Sequence, residues 1–204
     1  MESPRSKRSK TENPPSREEI VSRIHSKSEA IIQFCIQGVE TNFYKAEQSL
    51  RIQIYQLACL YLELYLWSFQ EQFDYPCWLK TGLYYQGQLI PRTVKTIFGE
   101  VRYWRHYFLI KSGGGFYPLD AQVGLTRDGF SPLVISLATK LATRMSFAAS
   151  VLVFRCFYGW SPSSEAIQHL VLGMELDRTS CRDAACGEQR ARTEEDTPRE
   201  RTPR

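Results

Sequence analysis

The sequence predicts an α+β chain: a helical hairpin, a small antiparallel β-hairpin or sheet, then a three-helix unit with helix-turn-helix character, between disordered termini. Three observations lead there. Apolar residues recur at three and four from Ser16 to about Gln72, short β-like runs follow Pro76, and helical signals return at Ser131-Pro132. The segments are then a basic arm (1–15), the helical hairpin (16–74), the sheet (75–120), the helical unit (121–174) and a tail (175–204).

The arm has no periodicity, contains Asn13-Pro14-Pro15 and is basic through Arg5, Lys7, Arg8 and Lys10, which predicts disorder. Ser16 and Glu19 have the spacing of a capping box, in which the serine oxygen and the glutamate each satisfy a free backbone N–H. They open a first helix with the stripe Ile20, Ile24, Ile31, Cys35 and Val39. Gly38 and Thr41-Asn42 predict a break. A second helix should run from Phe43 to about Gln72, with Phe43, Ala46, Leu50, Ile54, Leu57, Tyr61 and Tyr65 as its apolar stripe. Neither helix can bury its stripe alone, so the two should form an αα-hairpin.

Strands are expected at Leu83–Tyr85, Thr93–Ile97 and Val101–Ile110, with Gly87 and Gly99 at turns. Lys111-Ser-Gly-Gly-Gly-Phe116 reads as a flexible turn, and Tyr117-Pro118-Leu119-Asp120 as a return to order. Ser131-Pro132 places proline at the first helical position, where its missing N–H costs nothing. Three helices follow, at Pro132–Thr143, Phe147–Tyr158 and Pro162–Gly173. Beyond Met174 the chain has seven arginines, no lysine and no aromatic residue, which predicts a disordered tail.

Composition excludes several classes. With 204 residues, 43% hydrophobic, the chain can build one sizeable core; a net charge of +4 is mild, so the placement of the basic residues matters more than their sum. Cys35, Cys59 and Cys156, three of six cysteines, fall in apolar helical patterns and read as small hydrophobes of a reduced, cytoplasmic chain. The amino end has no apolar signal stretch. The longest uncharged apolar run, Ile52–Leu62, is interrupted by Gln53 and Gln56, so no membrane partner is expected.

The most informative stretch is Pro91–Ile110, where Arg92, Lys95, Arg102, Arg105 and Lys111 face only one acid, Glu100. Strand alternation sends Val101, Tyr103, Tyr107 and Leu109 one way and Arg102, Trp104, His106 and Phe108 the other. Cations and rings on one surface would contact phosphates and sugars or unpaired bases. The alternative is a two-sided strand, with Trp104 and Phe108 buried against helices and the arginines merely solvated. A second candidate is Ser146–Gly173, a helix, a tight Tyr158–Ser161 connection and a second helix. That helix would present Ser163, Ser164, Gln168 and His169 outward to DNA and pack Ile167, Leu170 and Val171 inward. Plain helical packing would give the same pattern. Asp120, Asp128 and Glu165 occupy turn and cap positions and read as local caps, not as catalytic acids. Neither a metal site nor a phosphate loop is predicted, so no cofactor is expected.

Four segments carry a family resemblance: Thr96–Tyr107, Gly113–Asp120, Gly124–Pro132 and the helical stretch Ser136–Ala149 with Gly159–Ile167. In that order they closely resemble the transposases of Kra-type insertion sequences, over about Phe43–Gly173. The resemblance implies a DNA-binding front region that precedes a ribonuclease-H-like catalytic domain in such proteins. Some relatives carry a Cys-x-x-Cys knuckle where this chain has Lys111-Ser-Gly-Gly-Gly115. The expected function is that of a truncated transposase front region, binding insertion-sequence ends without catalysis. Two alternatives stand beside it: a module that dimerises with itself or with full-length transposase as an inhibitor, and a gene relic without function.

Overall fold

The computed structural model of the chain describes residues 13–38, 40, 42–72, 83–110 and 114–173, with only the backbone at 83–88 and 110. Among these residues it has six helices and one three-stranded antiparallel sheet, the α+β class that the patterning predicts. Compactness divides the chain into two units, Met1–Val134 and Ile135–Arg204.

Helix α1 (Arg17–Gln37) starts at the expected capping box: Glu19 N–H donates to Ser16 Oγ at 3.2 Å and Ser16 N–H donates to Glu19 Oε2 at 2.8 Å. It stops at Gly38, whose left-handed φ of 56° few other residues tolerate. Helix α2 (Phe43–Gln72) has the expected bounds, and Asn42 Oδ1 accepts from Tyr44 N–H at its start. Arg23 of α1 meets Glu63 of α2 at 3.0 Å, which fixes the pair as an antiparallel hairpin.

The stripes differ from expectation. On α1, Ile20 and Ile24 are buried while Cys35 is exposed. On α2 the expected stripe is largely open: Phe43 is 83% exposed, and Ile54, Tyr61 and Tyr65 are each about half exposed. The face turned to the core is Cys59, Leu62, Leu66 and Phe69. Because α2 is apolar on more than one side, periodicity alone could not say which side would meet the sheet.

Strands β1 (Leu83–Thr96) and β2 (Gly99–Ile110) form a long hairpin, with Val94 opposite Val101 and Arg92 opposite Tyr103. The two short runs expected before Gly99 are one continuous strand. Gly87 lies inside β1 where the register shifts between Tyr85 and Leu89, not at a turn, and Ile97 belongs to the connection. Pro91 is tolerated because β1 is an edge strand. That edge is partly covered: Lys95 N–H donates to Gly129 O, and Ser131 N–H donates to Lys95 O. Strand β3 (Gly115–Phe116) pairs with Phe108 and Leu109, and the short helix α3 (Pro118–Gln122) follows at once. The core of this unit joins Leu66, Val94, Val101, Tyr103 and Leu119.

Helix α4 (Pro132–Ala142) is capped by Ser131, whose Oγ accepts from Val134 N–H at 3.3 Å. Helix α5 (Phe147–Tyr158) is capped by Ser146 and ends at Gly159 with φ 76°. Helix α6 spans 164–173, two residues later than expected, because Ser163 is its cap and accepts from Ala166 N–H at 3.1 Å. In the second unit Ala138, Phe154, Ile167 and Leu170 are buried, and the Phe154 ring packs against Tyr158 and Trp160.

Candidate nucleic-acid interface

The cross-strand pairs sort the basic residues of the hairpin onto two faces. Lys95 with Glu100, Thr93 with Arg102, Pro91 with Trp104 and Leu89 with His106 share one; Arg92 with Tyr103 and Ile90 with Arg105 share the other. The cationic residues therefore do not form a single surface. The alternation expected along β2 is present, but its two faces meet different surroundings.

On the inner face Arg92 and Arg105 are each only 12% exposed, and both reach Asp120 Oδ2, Arg92 at 2.6 Å. Tyr103 Oη donates to Asp120 Oδ1 at 2.5 Å, and Arg92 Nη2 donates to the Thr126 carbonyl. Asp120 is thus the buried centre of an ion-pair network and not a local cap. Proline at the start of α3 and Leu119 in the core hold its carboxylate under the sheet. Burial lowers the Arg105 pKa, and burial raises that of Tyr103 against the opposing pull of Arg92 and Arg105. The Arg105 guanidinium also lies 3.4 Å over the Tyr117 ring.

On the outer face Arg102 is exposed and its guanidinium sits 5.2 Å over the Trp104 ring, while Lys95 is half exposed and 3.9 Å from Glu100. Arg23 of α1, half exposed, joins Arg102 and Trp104 around a groove of about 590 Å³ bounded by Pro14 and Pro15. A second cavity of about 340 Å³ adjoins Trp104, Trp67, Tyr103 and Gln70. There the Trp104 indole N–H and both Gln70 amide atoms are buried without a hydrogen-bond partner among the described residues. His106 is half-buried, and burial lowers its pKa. Phe108 is fully buried and takes no part in this face.

In the second unit Ser163, Ser164, Gln168 and His169 are exposed, while Ile167 and Leu170 are buried, the division the sequence predicts. Ser163 also serves as the helix cap. Lys111, residues 1–12 of the arm expected at 1–15, and the tail expected at 175–204 lie outside the described residues. Cys156, like Cys35, is exposed; Cys59 alone of the three described cysteines is half-buried, and burial raises its pKa.

Sequence reasoning missed Asp120, Tyr103, Tyr117 and Arg23. Asp120 follows an apolar Pro118-Leu119 pair, which was the one local sign that it is drawn inward. Arg23 is brought to the face only by the hairpin. Among the described residues no three or more His, Cys, Asp or Glu side chains gather as a metal site, and no helix is long and apolar enough to cross a membrane. No protein-family model, curated protein or solved structure matches the chain.

Proposed function

We propose that this chain is a DNA-binding module of an insertion-sequence transposase front region, acting in the cytoplasm on the element's ends and performing no catalysis itself. The observation that carries this reading is the exposed Arg102 guanidinium over the partly exposed Trp104 ring, beside Lys95 and Arg23: surface cations that can neutralise phosphates, next to a ring that can pack on sugar or base. Ser164 and Gln168 on α6, in the second unit, are exposed polar groups of types able to contact base edges. The test is a binding titration with duplex DNA carrying the element's ends at several salt concentrations. Log affinity should fall against log salt with a slope of about −2 to −3 for three phosphate contacts. Affinity that ignores salt, or no binding, refutes the reading.

A second reading has its own observation. Phe43, Ile54, Tyr61 and Tyr65 lie along one side of α2 and are exposed, which suits a helix that pairs with a second copy or with a full-length transposase. Sedimentation of the chain with and without Ile54→Glu and Tyr61→Glu tests it. Oligomers that dissolve in the double variant support association, and a monomeric parent chain that also fails to join a full-length transposase removes it.

A further inference from the structure

A cavity of about 510 Å³ opens beside α3, with Arg92, Arg105, Tyr117, Asp120 and Arg127 in its wall. The charges around it do not balance. Asp120 is the one acid among the described lining residues, yet it already serves two guanidiniums, and Arg127 on the turn after α3 adds a third cation. Two positive charges therefore remain around a partly desolvated space.

Arg92 is committed elsewhere, to Asp120 and the Thr126 carbonyl. Arg105 is not fully used, since its buried Nε has no hydrogen-bond partner among the described residues. The Tyr117 ring, 3.4 Å from the Arg105 guanidinium, holds its plane in place beside the cavity. A buried cation without compensation is costly, and a tetrahedral oxyanion with several acceptor oxygens compensates it with charge-assisted hydrogen bonds. The volume is far larger than the roughly 30 Å³ of one water and admits a phosphate group.

We propose that this cavity binds a phosphate-class oxyanion, held by Arg105 and Arg127, with Arg92 adding positive charge behind them. The site lies on the sheet face opposite Arg102, so phosphate binding there does not depend on the outer-face contact proposed for DNA. Two sources present the same chemistry, a backbone phosphate of DNA and a free phosphate ester.

The test begins with calorimetric titration of the whole chain with inorganic phosphate at constant ionic strength, with chloride as the control. Saturable binding of one phosphate is expected, weakened about tenfold or more in Arg127→Ala, as loss of a charged hydrogen bond implies. Arg127 is exposed, so the variant keeps its fold, which an unchanged thermal midpoint without phosphate verifies. Heats no different from chloride, or phosphate binding unchanged in Arg127→Ala, overturn the proposal. Competition then separates the sources. Phosphate that displaces duplex DNA at fixed ionic strength assigns the seat to a backbone phosphate; phosphate that binds without displacing DNA assigns it to a free ester.

Discussion

Arg92 and Asp120, 28 residues apart in the chain, form a 2.6 Å ion pair that ties the edge strand β1 to helix α3. Arg105 of β2 reaches the same carboxylate oxygen, so one acid joins both strands of the hairpin to the segment that follows them. The inner arginines thus hold the fold, while Arg102 lies on the opposite face over Trp104.

Replacing Asp120 leaves two guanidiniums facing each other in a site only about a tenth exposed. Asp120→Asn should lower unfolding free energy by about 3–5 kcal/mol, a large share of the roughly 5–15 kcal/mol of an ordinary domain. Urea denaturation measures it, and a loss below about 1 kcal/mol would show that the network is not a stabilising one.

Arg102 and Arg105 should separate in binding experiments. Arg102→Ala should reduce the slope of log affinity against log salt by about one and lower the thermal midpoint less than Arg105→Ala does. Arg105→Ala should lower the midpoint, because it breaks the Asp120 pair. Equal slopes for Arg102→Ala and the parent chain would place the DNA contact elsewhere.

His106 gives a pH dependence with a defined sign. Burial lowers its folded pKa below the ordinary value of about 6.5, so the unfolded chain takes up the proton first. Stability from this residue is intact above that value and falls as the pH drops from about 6.5 through the folded pKa. His106→Gln should flatten the decline over this window in urea titrations. An equally steep decline in the variant would assign it to other groups.

Gly115 permits a close approach of β3 to β2. A Cβ there would meet the Tyr107 hydroxyl end and, at 2.5 Å, the Phe108 carbonyl oxygen, which belongs to backbone and cannot swing away. Gly115→Ala should cost about 1–3 kcal/mol, as overpacking does. Thermal unfolding that matches the parent chain would mean that β3 can shift without loss.

Much of the fold was legible in the sequence because its signals are short-range. The Ser16–Glu19 box, the Gly38 break, the Ser131-Pro132 start and the period-two alternation of β2 each depend on neighbours within four residues. The same holds for Ile167 and Leu170 inward with Gln168 and His169 outward on α6.

Which faces became covered was decided by tertiary structure alone. The apolar sides of α2 compete on equal terms in the sequence, and the sheet took Cys59, Leu62, Leu66 and Phe69, leaving Ile54 and Tyr61 open. The five cations expected to act together were likewise indistinguishable by type or spacing. A buried carboxylate from a distant helix claimed Arg92 and Arg105, because charge withdrawn from water must find a partner. Arg102, one pleat away on the opposite face, points away from Asp120 and lies over the Trp104 ring.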